Sequence, residues 1–125
     1  MNIEKARFNM IEQQITPWMV FDERLIGVMA TIPREDFVPA THRNLAYADI
    51  DIPLGHNQVM IAPRELARMI QSLTLTGEEK VLEIGCGSGY ATVLLSKLAK
   101  KIFSVDIISD FVNHTQKKLK QLAIN

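Results

Sequence analysis

Between Ile3 and Ile15 the apolar residues Ile3, Ala6, Met10 or Ile11, and Ile15 return about every 3.6 positions, which predicts an amphipathic helix. Asn2 is placed to cap it and Thr16-Pro17 to stop it. Asp22 caps a second, shorter helix with Leu25, Ile26 and Met29 on one face, ended by Pro33. From Pro33 to Pro63 no helical or alternating period lasts more than a few residues, and Pro33, Pro39, Pro53, Gly55 and Pro63 punctuate the chain. An irregular segment that long in a compact domain reads as a binding loop, and Phe37, Val38, Leu45, Tyr47, Ile50, Ile52 and Leu54 give it apolar groups to pack. Periodicity returns at Pro63, a good first helical residue, with Leu66, Met69, Ile70 and Leu73 inward and Gly77 as the stop. Then come a strand from Lys80, a glycine turn, a helix over Tyr90 to Ala99, a strand over Lys101 to Val105 and a last helix over Asp110 to Leu122. This order is one βαβ unit followed by a helix, an α/β arrangement.

Composition narrows the function classes. The chain has 125 residues, enough for one core, and 47% hydrophobic with 22% charged is ordinary globular usage. Lys+Arg and Asp+Glu are 14 each, so no net field argues for nucleic acid or an anionic membrane. Lys117, Lys118 and Lys120 lie near the end of the last helix, where cations suit the helix dipole. A lone cysteine, Cys86, builds no disulfide framework, and no Cys/His cluster has metal-ligand spacing. The N-terminus lacks a signal-peptide core and no apolar run approaches the roughly 20 residues of a membrane span. The expectation is a cytoplasmic protein without metal, membrane or nucleic-acid partner.

The chemistry concentrates in Lys80 to Tyr90, where an apolar run closes on Glu83 and opens into Gly85, Gly87 and Gly89. Such glycines let a ligand approach the backbone, and the helix that follows aims free N–H groups at it. Asp106 closes the next apolar run at about the separation expected for a ribose-binding carboxylate. A dinucleotide fingerprint would need glycine at position 90, where Tyr90 stands, which counts against NAD or FAD. Two plainer readings remain beside these: glycines that only turn the chain, and an Asp106 that only caps the next helix. Cys86 has no histidine close in sequence to activate it and reads as a small turn residue.

The order Glu83-x-Gly85-x-Gly87-x-Gly89 resembles the first motif of class I methyltransferases that use S-adenosyl-L-methionine (SAM). Upstream, Ile32-Pro33-Arg34-Glu35-Asp36-Phe37-Val38-Pro39, Leu45-Ala46-Tyr47-Ala48-Asp49 and Ile52-Pro53-Leu54-Gly55 resemble the region before that motif in protein-L-isoaspartate O-methyltransferases. The likeness runs from about Ile32 to Asp106. It implies a Rossmann-like fold, SAM as cofactor with S-adenosyl-L-homocysteine as product, and methylation of isoaspartyl residues in damaged proteins or peptides. By the same resemblance Asp106, with Ile107 beside it, takes the ribose. Glu83, Gly85, Cys86, Gly87, Ser88 and Gly89 lie against the rest of the cofactor, and Val59, Met60, Ile61 and Ala62 back it.

One departure stands out. The family's substrate loop reads Gly-x-Gly-Gln-Thr-Ile-Ser-Gln-Pro, and here it is Gly55-His56-Asn57-Gln58-Val59-Met60-Ile61-Ala62-Pro63. Ile61 occupies the place of the family's active-site serine and offers no hydrogen bond. This leaves the catalytic residue unassigned and admits a different methyl acceptor, or a SAM-binding module without turnover. His56 and Arg64 are further candidates for contact with substrate, each also readable as a solvated side chain. The expected organisation is a helical segment over 1–32, a substrate and cofactor loop over 33–62 and the first half of a SAM-binding domain over 63–125.

Two strands are few for such a fold, so the chain reads as its N-terminal portion, with an incomplete sheet. An apolar strand edge would stay open unless self-association, another chain or the stretch from Pro39 to Pro53 covers it. SAM binding by this chain alone is expected to be weak, and methyl transfer by it absent or nearly so.

Overall fold

A computed structural model describes residues 2–124. Contacts divide the chain into two compact units, residues 1–74 and 75–125.

In the first unit, α1 (Ile3–Met10) starts where Asn2 Oδ1 accepts the Lys5 N–H at 3.0 Å. The helix does not continue to Ile15 in one register. Over Ile11–Ile15 it widens into a π turn, closed by the Thr16 N–H on the Ile11 carbonyl, and Thr16–Trp18 then tightens into a 3₁₀ turn. Met19, at φ 64°, ends it. After that turn α2 (Glu23–Thr31) is capped by Asp22, whose Oδ1 accepts the N–H groups of Arg24 and Leu25 at 3.0 and 3.2 Å. Leu25 and Met29 are wholly buried, and each such side chain stabilises the unit by about 1.5–3 kcal/mol.

The segment from Pro33 to Pro63 has more regular structure than its lack of period predicts. Two 3₁₀ stretches, Arg34–Phe37 and Ala40–Leu45, precede an antiparallel hairpin of β1 (Ile52–Gly55) and β2 (Gln58–Met60). His56 and Asn57 form its two-residue turn at φ 53° and 57°, the pair of positive angles a type I′ turn requires. The strands are too short to register as alternation, and the turn lacks the Asn-Gly signature, so the pattern hid them. Among the described residues the hairpin strands pair only with each other, and the stretch from Pro39 to Pro53 adds no strand to the parallel sheet.

α3 (Pro63–Ser72) begins on its proline as expected, but its buried face is Pro63, Leu66, Ala67 and Ile70. Met69 and Leu73 are at least half exposed rather than inward. The helix ends at Leu73, with Thr74 at φ 50°, ahead of the predicted stop at Gly77.

In the second unit, β3 (Lys80–Ile84) and β4 (Lys101–Val105) pair in parallel from Lys80 opposite Lys101 to Ile84 opposite Val105. Between them runs α4 (Tyr90–Leu98), and after them α5 (Ser109–Gln121). The sheet's two faces differ. Val81, Glu83, Ile102 and Ser104 are partly covered, with α4 packed on β4. Leu82, Ile84, Phe103 and Val105 stand 62%, 83%, 49% and 50% exposed on the opposite face, and no further strand joins this sheet among the described residues. Alternate apolar positions facing solvent reverse the usual pattern of a half-covered sheet. No helix among the described residues is long and apolar enough to cross a membrane, and no cluster there could hold a metal.

Candidate functional site

The second unit builds the glycine turn. Gly85 leaves β3 at φ 93° with its N–H on the Val105 carbonyl at 2.7 Å, which ties the turn to the end of β4. A Cβ added to Gly85 would meet nothing within 4 Å, so the backbone there borders open space a ligand can enter. Gly89 differs. A Cβ on it would lie 2.8 Å from Thr115 Oγ1 and 3.3 Å from Thr115 Cα, so this glycine lets α5 pack against the start of α4. The Gly89 N–H closes the turn on the Cys86 carbonyl at 2.8 Å.

Asp106 follows β4 and reaches back to that turn. Its Oδ2 accepts the Gly87 N–H at 3.2 Å and its Oδ1 the Ile108 N–H at 2.9 Å. The Ile108 N–H, then those of Gly87 and Cys86, outweigh partial burial and hold its carboxyl below the usual carboxylate range. Asp106 is therefore an ionised, half-exposed acceptor with lone pairs to spare. Neighbouring Ile107 is fully exposed and Ser88 is buried, with its hydroxyl accepting the Tyr90 N–H at 3.3 Å.

Glu83 is already engaged. Its Oε1 accepts the hydroxyls of Thr92, on α4, and of Ser104, on β4, the latter at 2.7 Å. It acts on the turn by joining the two strands to the helix. Cys86 is free and buried, and burial pushes its thiol up, which keeps it a neutral packing group.

The first unit carries the other candidates. On the hairpin Val59 is half exposed and Met60 buried; after it Ile61 is half-buried and Ala62 buried, with the Ala62 N–H on Asp51 Oδ1 at 2.8 Å. His56 sits at the exposed hairpin tip. Arg64 is committed elsewhere. Its Nε lies 3.0 Å from Asp49 Oδ1 and its guanidinium stands 4.2 Å over the Trp18 ring, so holding a substrate carboxylate would cost it those contacts.

Sequence reasoning missed the group that fixes the hairpin. Arg34 is fully buried; its Nε donates to the Ala46 carbonyl at 2.6 Å and an Nη to the Ile61 carbonyl at 3.1 Å. The Tyr47 hydroxyl accepts the Arg34 N–H at 3.2 Å and the Arg7 Nε–H at 2.8 Å, and donates to Glu35. Arg7 also pairs with both Glu35 oxygens at 3.3 Å. An Arg-Glu pair between Pro33 and the apolar Phe37-Val38 was the available signal.

Burial alone would raise the Glu35 carboxyl, but the Tyr47 hydroxyl, its own backbone and Arg7 together hold it below its ordinary value. A depressed carboxyl contributes stability that is present above the unfolded value of about 4.3 and is lost as pH falls through the folded value. Resistance of the chain to urea is thus expected to fall below about pH 4.3, and Glu35→Gln to flatten that acid limb. An unchanged acid limb in Glu35→Gln would show that other carboxylates set it.

Comparisons with known proteins agree on one family. The family model described as protein-L-isoaspartate(D-aspartate) O-methyltransferase matches residues 5–125. A protein-L-isoaspartate O-methyltransferase 1 of Pelobacter propionicus is 38% identical over 124 residues, covering 99% of this chain and 58% of the relative. One from Syntrophus aciditrophicus is 40% identical over 119 residues, covering 95% and 55%. The chain thus spans about half the length of the curated relatives it matches. In structure it resembles a protein-L-isoaspartate O-methyltransferase of Plasmodium falciparum solved with S-adenosyl-L-homocysteine, at a TM-score of 0.77 and 20% identity over 100% of this chain and 60% of the other. That likeness shows a partial Rossmann-like methyltransferase fold.

Proposed function

The chain belongs to the protein-L-isoaspartate O-methyltransferase family, and from that premise we propose that it serves SAM-dependent methyl transfer to a carboxylate, the isoaspartyl residue of a damaged protein. The observation that carries this reading is the ionised Asp106 carboxylate fastened to the glycine turn, beside the open space at Gly85. The residues fit the cofactor. Asp106 would accept the two ribose hydroxyls, and the turn from Gly85 to Gly89 would lie against the methionyl part, with Ile107 near the sugar. When bound, SAM supplies a methyl group activated on a sulfonium. The acceptor carboxylate is ionised near neutral pH, so this chain needs no base and contributes chiefly by alignment. Within the proposal, segment 33–62 serves the acceptor, with Val59, Met60, Ile61 and Ala62 backing the cofactor, and 63–125 serves the cofactor. A cytoplasmic setting suits this reading.

Ile61 favours a second reading. A hydroxyl lost from the acceptor site removes a positioning contact worth about 2.7–4 kcal/mol by analogy with one oxyanion donor, or about a hundredfold or more in rate. SAM would then be bound with little turnover, or the acceptor would differ.

The test follows labelled methyl from SAM to an isoaspartyl peptide and to its aspartyl isomer. At most slow transfer, confined to the isoaspartyl peptide and raised in Ile61→Ser, is expected. No transfer to either peptide by the chain and by Ile61→Ser, with SAM still bound in calorimetry, would overturn the first reading in favour of the second.

A further inference from the structure

The peptide bond that joins Ile61 to Ala62 is gripped at both polar ends by charged side chains. An Arg34 Nη donates to its carbonyl at 3.1 Å, and Asp51 Oδ1 accepts its N–H at 2.8 Å. The cation stands at the negative end of the peptide dipole and the carboxylate at the positive end, the favourable sense at each, and such charge-assisted bonds are about twice as strong as neutral ones. Neither bond continues a ladder. The hairpin pairing runs out at Ile52 opposite Met60, and α3 begins at Pro63, so Ile61 and Ala62 are the connector between strand and helix. Beyond the last backbone pair, side chains take over: Asp51 holds Ala62, and Asp49 holds Arg64 at 3.0 Å. The two aspartates alternate ahead of β1 as Ala62 and Arg64 alternate after β2.

We propose that Asp51 is a positioning residue of the acceptor site, which with Arg34 fixes the plane of the Ile61–Ala62 peptide and so the point from which the side chain at position 61 meets the methyl acceptor. This role rests on the proposed function, which sets Ile61 in that site. A peptide plane held at one end can still swing about the other. Held at both, it fixes ψ of Ile61 and φ of Ala62 together, and with them the direction of the bond from Cα to Cβ at position 61. Methyl transfer to an ionised carboxylate draws its rate from alignment, and a misplacement of about 1 Å can cost about a hundredfold. Strand formation does not ask for this residue, since aspartate is disfavoured in strands and β1 starts after it. Asp51 is itself exposed, so packing does not dictate a carboxylate there. The carboxylate touches no substrate and acts through the main chain of Ile61 and Ala62. Ile61→Ser then changes the chemistry at a fixed place, and the gain expected from it depends on Asp51.

The test compares the whole chain with Asp51→Ala, which removes the acceptor, and Asp51→Asn, which keeps it without the charge. Backbone ¹⁵N relaxation reads the motion of the Ala62 N–H itself. Its order parameter is expected at about 0.85 in the chain and in Asp51→Asn, and below about 0.6 in Asp51→Ala, with the urea midpoint little changed. A brace that only stabilised the fold would lower the midpoint and leave the order parameter of the folded state where it was. In an Ile61→Ser background, at saturating SAM and isoaspartyl peptide, Asp51→Ala is expected to lower kcat about tenfold with KM nearly unchanged, and Asp51→Asn to restore most of it. An Ala62 N–H as ordered in Asp51→Ala as in the chain, or a kcat that ignores Asp51 in Ile61→Ser, would overturn the proposal. Absence of transfer from every variant would instead count against the proposed function, and the order parameter alone would then decide whether Asp51 fixes this peptide.

Discussion

Arg34→Met is expected to destabilise the first unit by about 3–5 kcal/mol, a large part of the roughly 5–15 kcal/mol that holds an ordinary domain together. The guanidinium is fully buried and donates to the carbonyls of Ala46 and Ile61. Methionine nearly fills the volume but donates nothing, so two carbonyls lose their charged donor, each at about 1.5–3 kcal/mol. Arg34→Lys should fall between, because one ammonium lacks the planar fork that spans both oxygens. Urea unfolding followed by Trp18, the sole tryptophan and a member of this unit, reads the effect directly. A loss under about 1 kcal/mol in Arg34→Met would show that the clamp is incidental.

Asp106→Ala is expected to weaken SAM binding at least about a hundredfold while leaving the circular dichroism spectrum unchanged. Two hydrogen bonds to a charged acceptor are worth about 1.5–3 kcal/mol each, and the ribose would lose both. The fold tolerates the change because Asp106 is half-exposed and water can replace it at the N–H groups of Gly87 and Ile108. Calorimetry gives the ratio or, where binding by Asp106→Ala falls below its range, a lower bound on it. A ratio below about threefold would leave Asp106 as a turn brace only.

The stretch from Lys80 to Val105 was legible in the sequence almost residue by residue, because its strands are contiguous apolar runs and its turn is written in glycine. The Asn2 and Asp22 caps were legible for the same local reason. What escaped depends on partners distant in the chain. Arg34 and Glu35 look like surface charges until Arg7 and Tyr47 close around them from 28 and 12 residues away. Arg64 resembled an available cation because its engagement with Asp49 and Trp18 is a tertiary fact. The π turn changes hydrogen-bond register without changing the apolar spacing, so periodicity passes over it. Met69 and Leu73 fit a helical stripe, yet the buried face turned toward Ala67, since a stripe fixes spacing better than orientation.

The outward row of Leu82, Ile84, Phe103 and Val105 has a kinetic meaning. A freshly synthesised copy with this face uncovered meets other copies at a rate that rises with concentration, whereas a segment of its own chain, or a holding chaperone, arrives at a rate that does not depend on other copies. Expression level then decides between soluble yield and precipitate. Slow synthesis or cold induction should favour the soluble outcome without any change in the stability of the folded units.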